Sequence, residues 1–181
     1  RDARENVKES IQNKREEVRE NLQQKREELK ENIQNKREEF RATLEAKRAE
    51  LKDRIQAHRE ELKTRLAQIK DERKKQVALR IDERLGEVNQ NRLDHFTNVV
   101  NKLEEILNRI AERTDRATAN GKDVSAVRTA ISEARSAIEA ARAAIAAQAG
   151  KLYQITVAGE ATLREDVKSA REALHNDLKA V

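Results

Sequence analysis

VKESIQNKREEVRENLQQKREELKENIQNKREEFRATL, residues Val7 to Leu44, repeats itself every eleven residues. Two apolar rows mark the repeat and run on past it. One is Val7, Val18, Leu29, Phe40, Leu51 and Leu62; the other is Ile11, Leu22, Ile33, Leu44, Ile55, Leu66 and Val77. Eleven residues is close to three turns of α-helix, so both rows hold to one face with almost no drift, which predicts a straight hendecad rod. These thirteen side chains form the expected assembly seam.

The composition around that stretch fits a rod better than a globule. Of 181 residues, 40% are charged and 36% hydrophobic, and the only aromatics are Phe40, Phe96 and Tyr153. Enrichment in Glu, Lys, Arg, Ala and Leu with helical periodicity indicates long helices and coiled coils. High charge also describes disordered chains, but those are usually rich in proline and glycine, and their apolar residues are not periodic. This chain has no proline and four glycines. The absence of cysteine excludes disulfides and thiolate chemistry and leaves the compartment open. No apolar run approaches the roughly eighteen residues that a membrane span needs. The sequence opens at Arg1 rather than at methionine, so an upstream segment is expected to have been removed.

Net charge is +5 and uneven: residues 1–80 carry 24 Lys and Arg against 18 Asp and Glu, whereas residues 81–181 carry 15 against 16. The excess peaks at residues 61–80, with seven basic residues against three acidic. An anionic partner would feel the strongest field there.

In cross-section the repeat is electrically layered. Lys14 and Arg15 fall about 50° to either side of the seam centre, and Lys25, Arg26, Lys36, Arg37, Lys47 and Arg48 repeat that placement. Glu16, Glu20, Glu27 and Glu31 form a ridge on the far side. Many pairs four residues apart are like with like, Arg15 with Arg19 and Glu16 with Glu20 among them, and each costs a few tenths of a kcal/mol. The rod is therefore expected to need a partner for its seam. In one solution two to four chains join their seams in a hendecad coiled coil, with Lys and Arg stems covering the apolar rows. In the other the seam lies on an anionic membrane surface, with basic flanks on phosphates, an arrangement resembling apolipoprotein-type helices. Two apolar residues per repeat give little area for lipid, and joined seams bring basic flanks together.

Near residue 80 the spacing moves toward three and four. Phe96, Val99, Leu103, Ile106 and Ile110 are the expected core of a first bundle helix, residues 85–119, with Val100 and Leu107 widening the face and Gly86 near the transition. Asn120 and Gly121 suit a C-terminal cap, and Asp123 an N-cap. Val127, Ile131, Ile138 and Ile145 then define a helix over 124–148, where nine alanines between 134 and 149 allow close approach. Residues 150–159 read as a connector, since the β-branched run Tyr153 to Val157 has no second strand to pair with. Leu163, Val167, Leu174 and Leu178 mark a last helix over 160–181. The expected fold is all-α: a very long hendecad helix, residues 1–84, continuous with a C-terminal antiparallel three-helix bundle, residues 85–181.

The repeats REEVRENLQQK and REELKENIQNK, followed by NGKDVSAVRTAISEARSAIEAARAAIAAQAGKLY, resemble a group of uncharacterised hendecad-repeat proteins of uncultured, small-genome bacteria. The likeness covers nearly the whole chain, and residues 120–153 are its most distinctive part. Such proteins commonly carry an export signal. The resemblance implies an exported or envelope-associated helical protein and transfers no activity.

Chemistry-bearing motifs are sparse. His58 takes the repeat position of Lys14, Lys25, Lys36 and Lys47, so its simplest role is a basic flank; His95 and His175 are isolated. No paired histidines at metal-ligand spacing, Gly-rich phosphate loop or nucleophile elbow occurs, so no catalytic residue, metal or cofactor is expected. Residues 61–80 lack aromatic platforms, which argues against sequence-specific nucleic-acid recognition. The expected function is a scaffold or spacer that assembles as a homo-oligomer through the seam; the alternative is an anionic lipid-surface binder.

Overall fold

The computed structural model describes the backbone of residues 2–181 and side chains from Glu5 onward. Arg1, where the expected rod begins, lies outside the described residues. The chain is all-helical: α1 is Asp2–Leu66, α2 Glu72–Ala119, α3 Ser125–Ala149 and α4 Leu163–Ala180.

The expected unbroken helix from the first repeat to about residue 119 is corrected here, because α1 stops at Leu66 and α2 begins at Glu72. The turn meets its hydrogen-bonding needs without any breaker residue. The Ala67, Gln68 and Ile69 N–H groups donate to the carbonyls of Lys63, Arg65 and Leu66 at 3.0, 3.3 and 3.0 Å. Asp71 Oδ1 then accepts the N–H groups of Arg73 at 2.9 Å and Lys74 at 3.2 Å, capping the start of α2. Ile69, only 3% exposed, pins the turn to the core. The first apolar row also fails at this point, for its next member after Leu62 would be position 73, which is Arg73. Val77 keeps the spacing of the second row by coincidence; it lies on α2 and is exposed.

Two compact units divide the chain. The first comprises residues 1–39 and 104–136. In it the start of α1 runs antiparallel to the end of α2, as ion pairs Arg26–Glu112 at 2.9 Å and Arg37–Glu104 at 2.8 Å require. Arg128 of α3 reaches Asp115 of α2 at 3.0 Å. Between them, Gly121 adopts φ of 72°, which glycine reaches without the Cβ penalty. This lets the Lys122 N–H reach back to the Ala117 carbonyl at 3.0 Å, closing a Schellman-type end to α2. The Asp123 carboxylate accepts the Ser125 N–H at 3.0 Å, and that bond holds its pKa below the ordinary value.

The second unit comprises residues 40–103 and 137–181. Its core gathers Leu62, Leu66 and Ile69 with Ala78 and Leu85 of α2 and Leu163, Ala170 and Leu174 of α4. The connector completes it. Tyr153, Ile155 and Val157 alternate inward while Gln154, Thr156 and Ala158 face out, the period of an extended chain. With no strand beside it among the described residues, the connector uses side chains instead: Arg65 donates to the Val157 carbonyl at 3.3 Å, and the Ala158 N–H donates to Asp166 Oδ2 at 3.1 Å.

The expected bundle-core residues divide by burial. Ile131, Ile138, Ile145, Leu163 and Leu174 are buried, and Val167 and Leu178 are partly so. Phe96 is half-buried, but Val99, Leu103, Ile106 and Ile110 are exposed, as is Val127 of α3. The buried line of α2 instead runs through Leu93, Val100, Leu107 and Ala111. That line lies about 100° around the helix from the exposed stripe, at the helical angle of roughly 100° per residue.

Candidate functional site

The seam is the feature with most claim to a role, and its exposure is graded along α1. Val7, Ile11 and Val18 are 59%, 48% and 45% exposed. Leu22, Leu29, Ile33 and Phe40 are half-buried, as are Leu51 and Ile55, whereas Leu44, Leu62 and Leu66 are buried. The helices that cover these residues belong to the same chain. Where the cover begins, a cleft of about 640 Å³ opens between α1 and the end of α2, with Val18, Leu22 and Leu29 on its floor.

The basic flanks divide by row. The arginines of successive repeats meet carboxylates of α2: Arg26 with Glu112, Arg37 with Glu104 and Glu105, Arg48 with Asp94 at 2.6 Å, and Arg59 with Glu83 at 3.9 Å. Antiparallel pairing with an acid-bearing helix brings basic flank to acidic flank, which removes the repulsion that matched seams would create. The lysine row is less uniform. Lys47 pairs with Glu50 at 3.6 Å, Lys36 is also engaged, and Lys14, Arg15 and Lys25 lie exposed.

His58 departs from the expected exposed flank. It is buried, with Nε2 at 3.0 Å from Asp82 Oδ1 of α2, itself buried. A lysine stem at this position would carry an ammonium past the carboxylate, whereas the shorter imidazole ends beside it. A second buried polar group lies nearby. Gln148 Nε2 donates to Asn89 Oδ1 at 3.0 Å and to Tyr153 Oη at 2.6 Å, and the phenol donates to Asp177 Oδ2 at 2.7 Å. Burial first, and the Asp177 carboxylate second, push the phenol well above its ordinary pKa, so it remains a donor. Neither group was identified from sequence. The available signal was a polar residue inside an apolar rhythm: Asn89 between Leu85 and Leu93, and Gln148 three residues after Ile145.

Two half-buried carboxyls lock the connector and set an acid response. The Tyr153 hydroxyl and the Lys151 ammonium hold Asp177 below its ordinary pKa; the Lys70 N–H and the Lys74 ammonium do the same for Glu160. A carboxyl that binds its proton less tightly folded than unfolded stabilises the fold above its ordinary pKa and loses that contribution as pH falls. Stability is therefore expected to hold from neutrality down to about pH 4 and to decline below it. Urea midpoints near pH 6 and pH 3 check this, and Asp177→Asn should flatten the decline.

Among the described residues no three His, Cys, Asp or Glu side chains gather as a metal site, and no helix is long and apolar enough to cross a membrane. No protein-family model matches the chain, nor does any curated protein or solved structure.

Proposed function

We propose that the protein is a structural or interaction protein, not an enzyme, and that its copies associate through the part of the seam their own helices leave open. Half-exposed Val7, Ile11 and Val18 carry this reading. They continue, without a change of period, the face that α2 covers further along α1. A second copy is the natural occupant because it brings the same period. An antiparallel pair of α1 helices centred near Gln12 sets Val7 opposite Val18.

The expected strength is modest. Completing the burial of a half-exposed aliphatic side chain contributes about 1 kcal/mol, so six across two chains give about 6 kcal/mol. Association itself costs about 4–15 kcal/mol, so assembly below about 1 mM needs further contacts along α1 beside these six side chains, and local crowding of copies is important. Sedimentation equilibrium from about 20 μM to 1 mM tests it. The mass is expected to climb from one chain of 20.8 kDa toward two to four chains. Substituting Val7, Ile11 and Val18 by Asp together should hold it at one chain with helicity unchanged. One-chain mass throughout for the unaltered protein would rule the proposal out.

An anionic lipid surface has less support as a partner for the seam. Arg26, Arg37 and Arg48 are engaged with carboxylates of α2, and from Leu44 to Leu66 the apolar rows are largely covered. Three open aliphatic side chains give a bilayer little to bury. Retention on anionic vesicles at physiological salt, lost in the triple Asp variant, would favour lipid over self-association.

A further inference from the structure

A separate face of the second unit has the features of a docking groove. α4 lies along α2 without filling the angle between them, leaving an open trough of about 580 Å³. Its apolar lining is Ile81, Leu85, Val88 and Phe96 from α2 with Leu174 and Leu178 from α4. Val88 is 38% exposed, so the floor is in contact with solvent. Four cations border it: Arg84 and Arg92 on the α2 wall, Arg171 and Lys179 on the α4 wall. No carboxylate lines the trough. Among the described residues none of the four cations is held in an ion pair, so their charge is free to meet a ligand.

From this arrangement we infer that the trough receives an acidic amphipathic helix of a partner protein. The distribution of charge selects that occupant. Arg84 and Arg92 are eight residues apart, as are Arg171 and Lys179, so each wall carries two cations about 12 Å apart at 1.5 Å rise per residue. A lipid or fatty acid concentrates its charge at one end and would leave the far pair unmatched. A bilayer surface is too broad to enter an angle between two helices. A helix with an apolar stripe at three and four spacing and carboxylates on both sides meets the floor and both walls together. Another copy of this chain fits poorly, since its apolar faces are bordered by Lys and Arg. α4 itself is an intramolecular precedent, for Leu174 seats an amphipathic helix beside Leu85 of the same α2 face.

The test uses a fluorescent sixteen-residue helical peptide with Leu along one face and Glu on both flanks, titrated against the intact protein by anisotropy. Saturable binding to wild type is expected. Replacing Arg84, Arg92, Arg171 and Lys179 by Gln should weaken it at least tenfold, and Val88→Asn alone should weaken it severalfold. Both sets of changes fall on exposed side chains, and circular dichroism verifies that helicity is kept. Replacing Lys8, Lys14, Arg15 and Arg19 by Gln, an equal loss of charge on α1, should leave affinity within twofold. The inference is overturned if the peptide does not bind, if the two four-Gln variants lose affinity equally, or if a peptide with Lys in place of Glu binds as well. Retention on phosphatidylglycerol vesicles through the same four cations, without peptide binding, would replace it with a lipid site. None of these outcomes depends on the state of the α1 seam.

Discussion

Ile155→Ala is expected to lower stability by about 3 kcal/mol, within the 2–5 kcal/mol usual for removing most of a large buried aliphatic side chain. The residue sits in a connector without regular secondary structure, where substitution would ordinarily cost no more than about 0.5 kcal/mol. Here it is 1% exposed and belongs to the same cluster as Leu62, Leu66 and Leu174. Its loss leaves a cavity that three different elements would have to close. None is free to move, because Arg65 and Asp166 hold the connector backbone at Val157 and Ala158. Urea unfolding followed by circular dichroism gives the number. A change below 1 kcal/mol would mean that the connector is not part of the core, while Thr156→Ala, on the exposed side, serves as the neutral comparison.

The second large effect concerns the pair buried between α1 and α2. Asp82→Ala leaves the His58 ring without its partner, in a site where both side chains are less than one-tenth exposed, and a cost of about 3 kcal/mol is expected. Replacing both residues with leucine should recover much of the loss, since a well-packed apolar pair avoids the desolvation that the polar pair bears. The double-mutant cycle distinguishes a true contact from two independent effects. Additive losses would show that the two side chains do not interact, and would remove the account of why histidine replaces lysine in this one repeat.

The helical content was legible because apolar residues recur at helical spacing, and Gly121 and Asp123 mark the junction of α2 and α3. The two apolar rows of α1 were legible as one periodic face. What covers the seam was not legible, since periodicity identifies the buried side of a helix but not the neighbour that buries it. The turn at residues 67–71 escaped for a local reason: it contains no glycine or proline, and Val77 falls in step with the second apolar row across the gap. Two signs pointed the other way, Arg73 where an apolar residue was due and Asp71 in a position to cap. Both are weak alone. On α2 Val100 and Leu107 widen the face set by Val99, Leu103, Ile106 and Ile110, and with Leu93 they form the covered side of that broad stripe. Two apolar lines on one helix cannot be ranked without knowing where the neighbours stand.

The groove and the buried polar pair have a common origin in side chains that periodicity treats as noise. Arg84, Arg92, Arg171 and Lys179 are separated by most of the second unit in sequence, and only the packing of α4 onto α2 makes them a set. Asp82 and His58 likewise acquire meaning only once the chain has reversed direction between them.

A ladder with evenly spaced identical rungs has many settings of similar energy, and sliding α1 past α2 by one whole repeat would return guanidinium to carboxylate at most of the ion-paired rungs. The histidine at one rung breaks that degeneracy, because only a single setting brings an imidazole, rather than an ammonium, to the enclosed aspartate. It acts as the index mark of a vernier. Units could then be gained or lost on the far side of that mark while the phase of everything nearer the reversal stayed fixed, which gives such a hairpin a means of changing length without being designed anew.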